Sequence, residues 1–118
     1  MKILIVDDSR AMRMIVKRNV SQIEPGAEFL EAENGAQALE VLASEQPVLV
    51  LCDWNMPEMN GIEFLKVLRA QGSTVPFGFV TSETQPAMRE AAIAAGAQAF
   101  LAKPFTGEAF QELLNGVV

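Results

Sequence analysis

The sequence predicts an α/β fold in which a doubly wound parallel sheet of five strands is covered by helices on both faces. Short and nearly continuous apolar runs, typical of strands buried on both faces, recur along the chain. Longer segments between them repeat their apolar residues at helical spacing. Because strands and helices alternate strictly, the strands should run parallel and be joined by right-handed crossovers.

The five predicted strands differ in how apolar they are. Four runs are almost entirely apolar and suit central positions, at residues 3–6, 48–52, 77–80 and 99–102. The run at residues 29–32 alternates apolar residues with acids, so we expect it in a more exposed position.

The predicted helices carry residues that favour helix ends. Ser9 suits the N-cap of the first helix, and the pairs Asn34–Gln37 and Asn60–Glu63 resemble capping boxes. The alanine-rich fourth helix spans residues 87–95, with a proline near its first turn and a glycine at its end. Four of the helices have a predicted apolar face. It comprises Met12, Ile15, Val16 and Val20 in the first helix, and Leu39, Leu42 and Ala43 in the second. It comprises Ile62, Leu65 and Leu68 in the third helix, and Phe110, Leu113 and Leu114 in the fifth.

Composition limits the possible functions. The 118 residues, half of them hydrophobic, predict one domain over residues 1–118 that needs no disulfide. A single cysteine, Cys52, fits a reducing compartment, and the lack of histidine removes the commonest general base and transition-metal ligand. The net charge of −6 argues against a nucleic-acid surface. With no signal peptide or membrane span in the sequence, we expect a cytoplasmic protein.

Basic residues gather in the first predicted helix, where we expect a solvated face. They are Arg10, Arg13, Lys17 and Arg18.

Polar side chains stand at the carboxyl ends of the central predicted strands, where parallel α/β sheets place their working sites. They are Asp7, Asp8, Asp53, Thr81 and Lys103. Taken singly, each has an ordinary explanation as a turn former, a helix cap or a solvated charge. Taken together, clustered carboxylates favour a bound Mg²⁺, and one of them could be a nucleophile that forms an acyl phosphate. A lysine and a hydroxyl would stabilise the charge on the transferred phosphoryl group.

This set resembles the response regulator receiver domain, in particular its CheY-like, single-domain chemotaxis type, over essentially the whole chain. The motifs that carry the resemblance are Asp7-Asp8, the loop DWNMPEMNG at residues 53–61, Val80-Thr81 and Lys103-Pro104-Phe105. The resemblance implies a flavodoxin-like (β/α)5 fold with strand order 2-1-3-4-5. It also implies a Mg²⁺-dependent phosphoprotein of a two-component phosphorelay, which catalyses its own phosphorylation and dephosphorylation and is not an enzyme with a separate substrate.

The resemblance also assigns roles to individual residues. Asp53 would be the phosphoacceptor, and Mg²⁺ would be bound by Asp53, by Asp8, by the backbone oxygen of Asn55 and, through water, by Asp7. Lys103 would contact the phosphoryl group. Thr81 and Phe100 would move together as the switch, Asn55 and Glu83 would tune dephosphorylation, and a cis peptide bond would precede Pro104. Phe100 lacks the hydroxyl of the family's commoner tyrosine, and a plain core aromatic is the alternative interpretation.

The partners implied are a sensor histidine kinase and a downstream protein, such as a motor switch or an adaptor. The downstream protein would bind the face formed by the fourth helix, the fifth strand and the fifth helix. Nucleic-acid binding and membrane insertion are not expected. Alternatives are a receiver domain excised from a larger regulator, a haloacid dehalogenase-like phosphohydrolase, and a flavodoxin-like carrier of FMN. The phosphohydrolase would need an Asp-x-Asp on the first strand, and the carrier a phosphate-binding loop where this chain is acidic.

Overall fold

Strands and helices alternate along the chain, as the apolar pattern predicts. The computed structural model describes residues 1–82, 85–102 and 107–117, leaving aside the side chains of residues 114, 116 and 117. The strands are β1 (Lys2–Val6), β2 (Glu28–Ala32), β3 (Leu49–Cys52), β4 (Phe77–Thr81) and β5 (Ala99–Ala102). The helices are α1 (Arg10–Ile23), α2 (Gly35–Ser44), α3 (Gly61–Ala70), α4 (Pro86–Ala94) and α5 (Gly107–Val117). Among the described residues, none of the helices is long and apolar enough to cross a membrane.

The strands form one parallel sheet in the order β2-β1-β3-β4-β5, which confirms the predicted fold class. Alternate residues of each strand enter two separate cores, one on each face of the sheet. Leu4, Val6 and Phe79 lie in the core that includes residues of α2 and α3, whereas Ile3 and Ile5 lie in the core that includes residues of α1 and α5. Burial on both faces explains why the central strands are nearly all apolar.

The predicted helix caps are present, with one difference in detail. The Ser9 hydroxyl accepts a hydrogen bond from the Met12 N–H at 3.2 Å, and Asn60 forms a complete capping box at the start of α3. Asn34 caps α2 by accepting from the Gln37 N–H at 2.8 Å. The side chain of Gln37, however, accepts from the N–H of Glu33 and not from that of Asn34, so it satisfies a donor one residue earlier than a capping box does.

The buried face of α1 differs from the predicted one at two positions. Val16 and Val20 are buried as expected, but Ile15 is 43% exposed, because it lies about 130° around the helix from the centre of the buried face. Arg13, predicted on a solvated face, is only 8% exposed. Its burial is tolerated because its guanidinium donates hydrogen bonds to two acceptors.

Glu58, in the loop that joins β3 to α3, adopts a left-handed backbone conformation with a φ of 67°. This conformation disfavours most L-residues, whereas asparagine tolerates it better. We expect Glu58→Asn to raise the free energy of unfolding by about 0.5 to 1 kcal/mol, measured by urea denaturation. Glu33→Asn is the matched control, since Glu33 is also an exposed loop residue and its φ is not positive. Equal stability changes in the two variants would contradict the strain at Glu58.

Candidate functional site

The ends of β1 and β3 bring Asp7, Asp8 and Asp53 together. These strands are neighbours in the sheet, with Val6 paired to Cys52, so the residues that follow them lie side by side. The Asp53 N–H continues the ladder by donating to the Val6 carbonyl at 2.8 Å. As a result, one carboxylate oxygen from each of the three residues lies within 4.8 Å of the other two. We call these three residues the acidic cluster.

The acidic cluster is sheltered on one side and open on the other. Asp7 and Asp53 are 4% and 9% exposed, whereas Asp8 is exposed to solvent. Three carboxylates this close repel one another unless a cation joins them. An all-oxygen set with one open side suits a hard cation such as Mg²⁺, which takes a few carboxylates and keeps several waters. The donor set therefore fits the metal that the sequence predicts.

The Asp53 carboxylate is oriented by its own chain. The N–H of Trp54 donates to Asp53 Oδ1 at 2.8 Å, and the loop returns so that the Gly61 N–H donates to the Trp54 carbonyl at 2.8 Å. Gly61 begins α3 and lies directly against the backbone of Asp53, where a Cβ atom would collide with the Asp53 carbonyl oxygen. The start of α3 therefore determines where Asp53 sits.

Asp7 is held at three points of its structure. Its N–H donates to the Ala32 carbonyl at 3.1 Å, and its Oδ1 accepts from the Ser9 N–H at 2.9 Å. Its carbonyl oxygen accepts from Nη1 of Arg13 at 2.6 Å. Ser9, predicted only as a cap, thus also orients the Asp7 carboxylate.

Cys52, the residue before Asp53, is fully buried and belongs to the core as expected. Its thiol donates to the carbonyl oxygen of Asp53 at 3.1 Å. Burial, together with the nearby carboxylates of Asp53 and Asp7, raises the pKa of the Cys52 thiol well above its ordinary value. The thiol therefore stays protonated at neutral pH and is not a nucleophile here.

The two predicted switch residues lie in neighbouring strands. Thr81, at the end of β4, is completely buried. Phe100, in β5, is 7% exposed and packs against Phe79 and Trp54, with ring centroids 6.1 Å and 6.2 Å away. In this arrangement Phe100 is a core aromatic in contact with the residue that follows Asp53.

The remaining predicted site residues are only partly described. Asn55 is exposed in the loop after Asp53, and the geometry of its carbonyl toward a metal ion stays a prediction. Lys103, Pro104 and Glu83 lie outside the described residues. Their predicted roles as phosphoryl contact, cis-peptide residue and dephosphorylation-tuning residue therefore stay predictions as well.

Arg13 and Glu31 are residues of the site region that sequence reasoning missed. Arg13 Nε donates to Glu31 Oε1 at 2.9 Å, and Lys17 Nζ contacts Glu31 Oε2 at 3.0 Å. A signal was available, because Arg13 is three residues before Val16 and so falls on the buried face of its helix. An acid on the neighbouring strand is the partner that such an arginine requires.

The bridged carboxylate of Glu31 should make stability depend on pH. Burial alone would raise the pKa of Glu31, but hydrogen bonds from Lys17 and Arg13 outweigh it and lower that pKa below its ordinary value of 4.5. A lowered pKa in the folded state means that the stabilisation is present above the unfolded-state pKa and is lost as the pH falls through the folded-state pKa.

We therefore expect Glu31→Gln to cost about 0.5 kcal/mol of unfolding free energy at neutral pH and less at an acidic pH below the ordinary glutamate pKa of 4.5. Urea denaturation of both proteins at the two pH values checks this. A difference that is the same at both pH values would contradict a contribution from the charged carboxylate.

Comparison with known protein families gives a match over nearly the whole chain. Residues 3–115 match the family model described as response regulator receiver domain. This match favours the receiver hypothesis over the phosphohydrolase and flavin-carrier alternatives.

Individual proteins and structures agree with the family match. A chemotaxis protein CheY homolog of Campylobacter jejuni is 40% identical and covers 100% of this chain and 92% of its own. Chemotaxis protein CheY1 of Helicobacter pylori strain J99 is 40% identical and covers 100% and 97%. The structure of Vibrio cholerae CheY4, crystallised at low pH, superposes with a TM-score of 0.87 at 34% identity and covers 99% and 98%. The receiver domain of Francisella response regulator 1452 gives 0.88 at 25% identity and covers 98% and 94%.

Proposed function

The chain belongs to the response regulator receiver domain family, and from this premise we propose that Asp53 accepts a phosphoryl group from a sensor histidine kinase with the help of a bound Mg²⁺. The observation that carries the proposal is the acidic cluster, in which an acceptor that is 9% exposed lies beside two further carboxylates. A sheltered carboxylate at the end of a central strand is protected from bulk water, yet an exposed edge of the cluster leaves room for a phosphodonor.

The residues that would hold Mg²⁺ are Asp8 and Asp53 directly, the carbonyl oxygen of Asn55, and Asp7 through water. The bound ion would neutralise the negative charge that the acceptor and the incoming phosphoryl group bring together. Asp8 suits a direct ligand because it is the exposed member of the acidic cluster.

In the proposed reaction a carboxylate oxygen of Asp53 attacks the phosphorus atom of a phosphohistidine. The O–P bond forms, the P–N bond breaks, and the imidazole of the donor leaves with the electron pair of that bond. The Trp54 N–H, which donates to Asp53 Oδ1, holds the carboxylate in one orientation during the attack. Lys103 would contact the transferred phosphoryl group, and hydrolysis of the acyl phosphate, tuned by Asn55 and Glu83, would end the signal.

The output we propose is a change in protein binding at the face formed by α4, β5 and α5. Thr81 would turn its hydroxyl toward the phosphoryl group, and Phe100 would move with it. Support comes from the position of Phe100, which packs on Trp54 beside the acceptor and also lines a groove of about 390 Å³ that includes residues of α4, β5 and α5. The partner would be a motor switch or an adaptor, since the similar CheY proteins are chemotaxis proteins.

The decisive experiment is incubation with acetyl phosphate and MgCl₂, followed by intact mass measurement and peptide mapping. The expected result is one phosphoryl adduct on the peptide that contains Asp53, formed only when Mg²⁺ is present. Asp53→Asn is the matched control, because it keeps the size of the side chain and removes the nucleophile. An adduct on Asp53→Asn, or no adduct with any phosphodonor, would overturn the proposal.

A further inference from the structure

The buried guanidinium of Arg13 ends on the backbone of the acidic cluster. Nη1 of Arg13 donates to the carbonyl oxygen of Asp7 at 2.6 Å, and Arg13 is only 8% exposed. Short hydrogen bonds from a charged donor in a sheltered position are stronger than neutral ones. The contact is therefore a firm link between α1 and the segment that carries two of the three carboxylates.

The carbonyl that Arg13 holds belongs to the peptide bond between Asp7 and Asp8. Because a peptide unit is planar, fixing this oxygen limits rotation about the bonds on either side of the plane. Those rotations determine where the carboxylates of Asp7 and Asp8 point relative to Asp53. Residue pairing in β1 ends at Val6, and the Asp7 N–H adds one more sheet hydrogen bond, to the Ala32 carbonyl, so the Asp7–Asp8 peptide lies just beyond that bond.

Arg13 is itself held in place by further contacts. Its Nε donates to Glu31 Oε1 at 2.9 Å, and the other oxygen of Glu31 contacts Lys17 Nζ at 3.0 Å. The planar guanidinium thus spans two acceptors, one on β2 and one after β1, in a geometry that a lysine ammonium reproduces poorly. Hydrogen bonds therefore connect Glu31 on β2, through Arg13, to the backbone of Asp7 in the acidic cluster.

We propose that Arg13 is a positioning residue for Mg²⁺, which fixes the Asp7–Asp8 peptide so that the carboxylates of the acidic cluster converge on the ion. This inference rests on the proposed function, since it concerns the same metal site. Residues that orient metal ligands in this way typically change metal affinity by about 10-fold to 100-fold when they are removed.

The sign of the effect separates positioning from simple electrostatics. Arg13 carries a positive charge close to a cation site, so on Coulombic grounds alone its removal would strengthen Mg²⁺ binding. If Arg13 positions the ligands, its removal weakens binding instead. The test is titration of MgCl₂ into the full chain by isothermal titration calorimetry at neutral pH, at a temperature where circular dichroism shows each variant folded.

We expect Arg13→Gln to weaken Mg²⁺ binding about 10-fold. Arg13→Lys, which keeps the charge but not the planar fork, should weaken it to a similar degree. The control is Arg18→Gln, because Arg18 lies exposed on the same helix and makes no hydrogen bond or ion pair within the part of the chain that the structure describes. Its affinity should stay within about twofold of the wild type.

Glu31→Ala is the variant least liable to unfold, because Glu31 is an exposed residue. The substitution removes the acceptor of Arg13 Nε, so we expect it to weaken Mg²⁺ binding a few-fold. Unchanged or tighter binding in the Arg13 and Glu31 variants would overturn the inference, even where their stability falls. Full affinity in Arg13→Lys would show that the planar guanidinium is not required and would overturn the inference too. A wild-type chain that binds no Mg²⁺ would overturn the proposed function itself, which is a distinguishable result.

Discussion

Replacing Gly61 with alanine is expected to lower the free energy of unfolding by about 2 to 3 kcal/mol. A Cβ atom at this position would collide with the carbonyl oxygen of Asp53 and come within 2.7 Å of the Phe79 ring and 3.1 Å of the Trp54 Cα atom. Two of these three neighbours are backbone atoms of Asp53 and Trp54, so α3 can accept the methyl group only by moving Asp53. We therefore expect labelling by acetyl phosphate to slow as well, in whatever fraction of the variant remains folded.

The chain supplies its own controls, because three helices in its described part begin with glycine. At Gly107, the first residue of α5, a Cβ would meet none of the described residues within 4 Å, so alanine should be neutral. At Gly35, the first residue of α2, its three nearest neighbours would all be side-chain atoms of Met59, with the sulfur at 2.8 Å. Met59 is flexible and can move, so Gly35→Ala should cost about 1 kcal/mol. In urea denaturation, the loss of unfolding free energy should increase from Gly107→Ala to Gly35→Ala to Gly61→Ala. Any other order would contradict the steric explanation.

Replacing Asp8 with asparagine is expected to slow phosphorylation strongly and yet to stabilise the metal-free protein. The carboxylate of Asp8 is the exposed member of the acidic cluster, within 4.8 Å of its two neighbours. Removing its charge relieves repulsion of about 1 kcal/mol in a solvent-exposed position. It also removes a proposed direct ligand of Mg²⁺, so we expect the labelling rate with acetyl phosphate to fall about 100-fold or more.

Two measurements test Asp8→Asn together. Urea denaturation in EDTA should give a higher unfolding free energy than the wild type, and addition of MgCl₂ should stabilise the wild type but not the variant. Glu40→Gln serves as the control, because it removes one negative charge from an exposed position on α2, outside the acidic cluster. If Glu40→Gln stabilised the chain equally, net charge and not the local cluster would be the cause. Labelling of Asp8→Asn at the wild-type rate would contradict its role as a ligand.

Much of the fold could be predicted from the sequence because it depends on local patterns. The predicted strand at residues 99–102 has the observed bounds, and the one at residues 77–80 ends one residue before β4 does. Burial on both faces requires continuous apolar runs, and helix starts require side chains that accept hydrogen bonds from free N–H groups. Both features can therefore be recognised in short stretches of sequence. The acid-containing strand at residues 29–32 lies at an edge of the sheet, in the more exposed position expected of it. The apolar run at residues 99–102 was predicted to be central, and this was wrong, because β5 forms the other edge and only one of its four residues is buried.

The gathering of the acidic cluster was also predictable, but for a different reason. Parallel strands present their carboxyl ends at one edge of the sheet, so acids that follow two strands are brought near each other once the strands are neighbours. The alternation of strands and helices predicts the shared edge. The roles of the individual residues came from the resemblance to the receiver family and not from the pattern itself.

The contacts that support Asp7 and Asp53 could not be predicted from the sequence. They join residues of different elements, and no local sequence pattern indicates that these residues will meet. Arg13 looked like one of several solvated bases, and its burial follows only from Glu31 on β2 and the Asp7 carbonyl being in reach. Gly61 looked like a residue at a helix start, and the need for glycine there follows from the close approach of α3 to the Asp53 backbone.

By itself, then, the sequence determined the order of strands and helices, the helix starts at Ser9 and Asn60, and the edge at which the acids gather. Each of these depends on hydrophobic periodicity or on hydrogen bonds within a few residues. Only the tertiary structure decided that Arg13 is buried, that the Asp7–Asp8 peptide is held from α1, and that Gly61 touches the Asp53 backbone. The physical reason is that packing distances and the pairing of buried charges arise between elements that meet only when the sheet has formed.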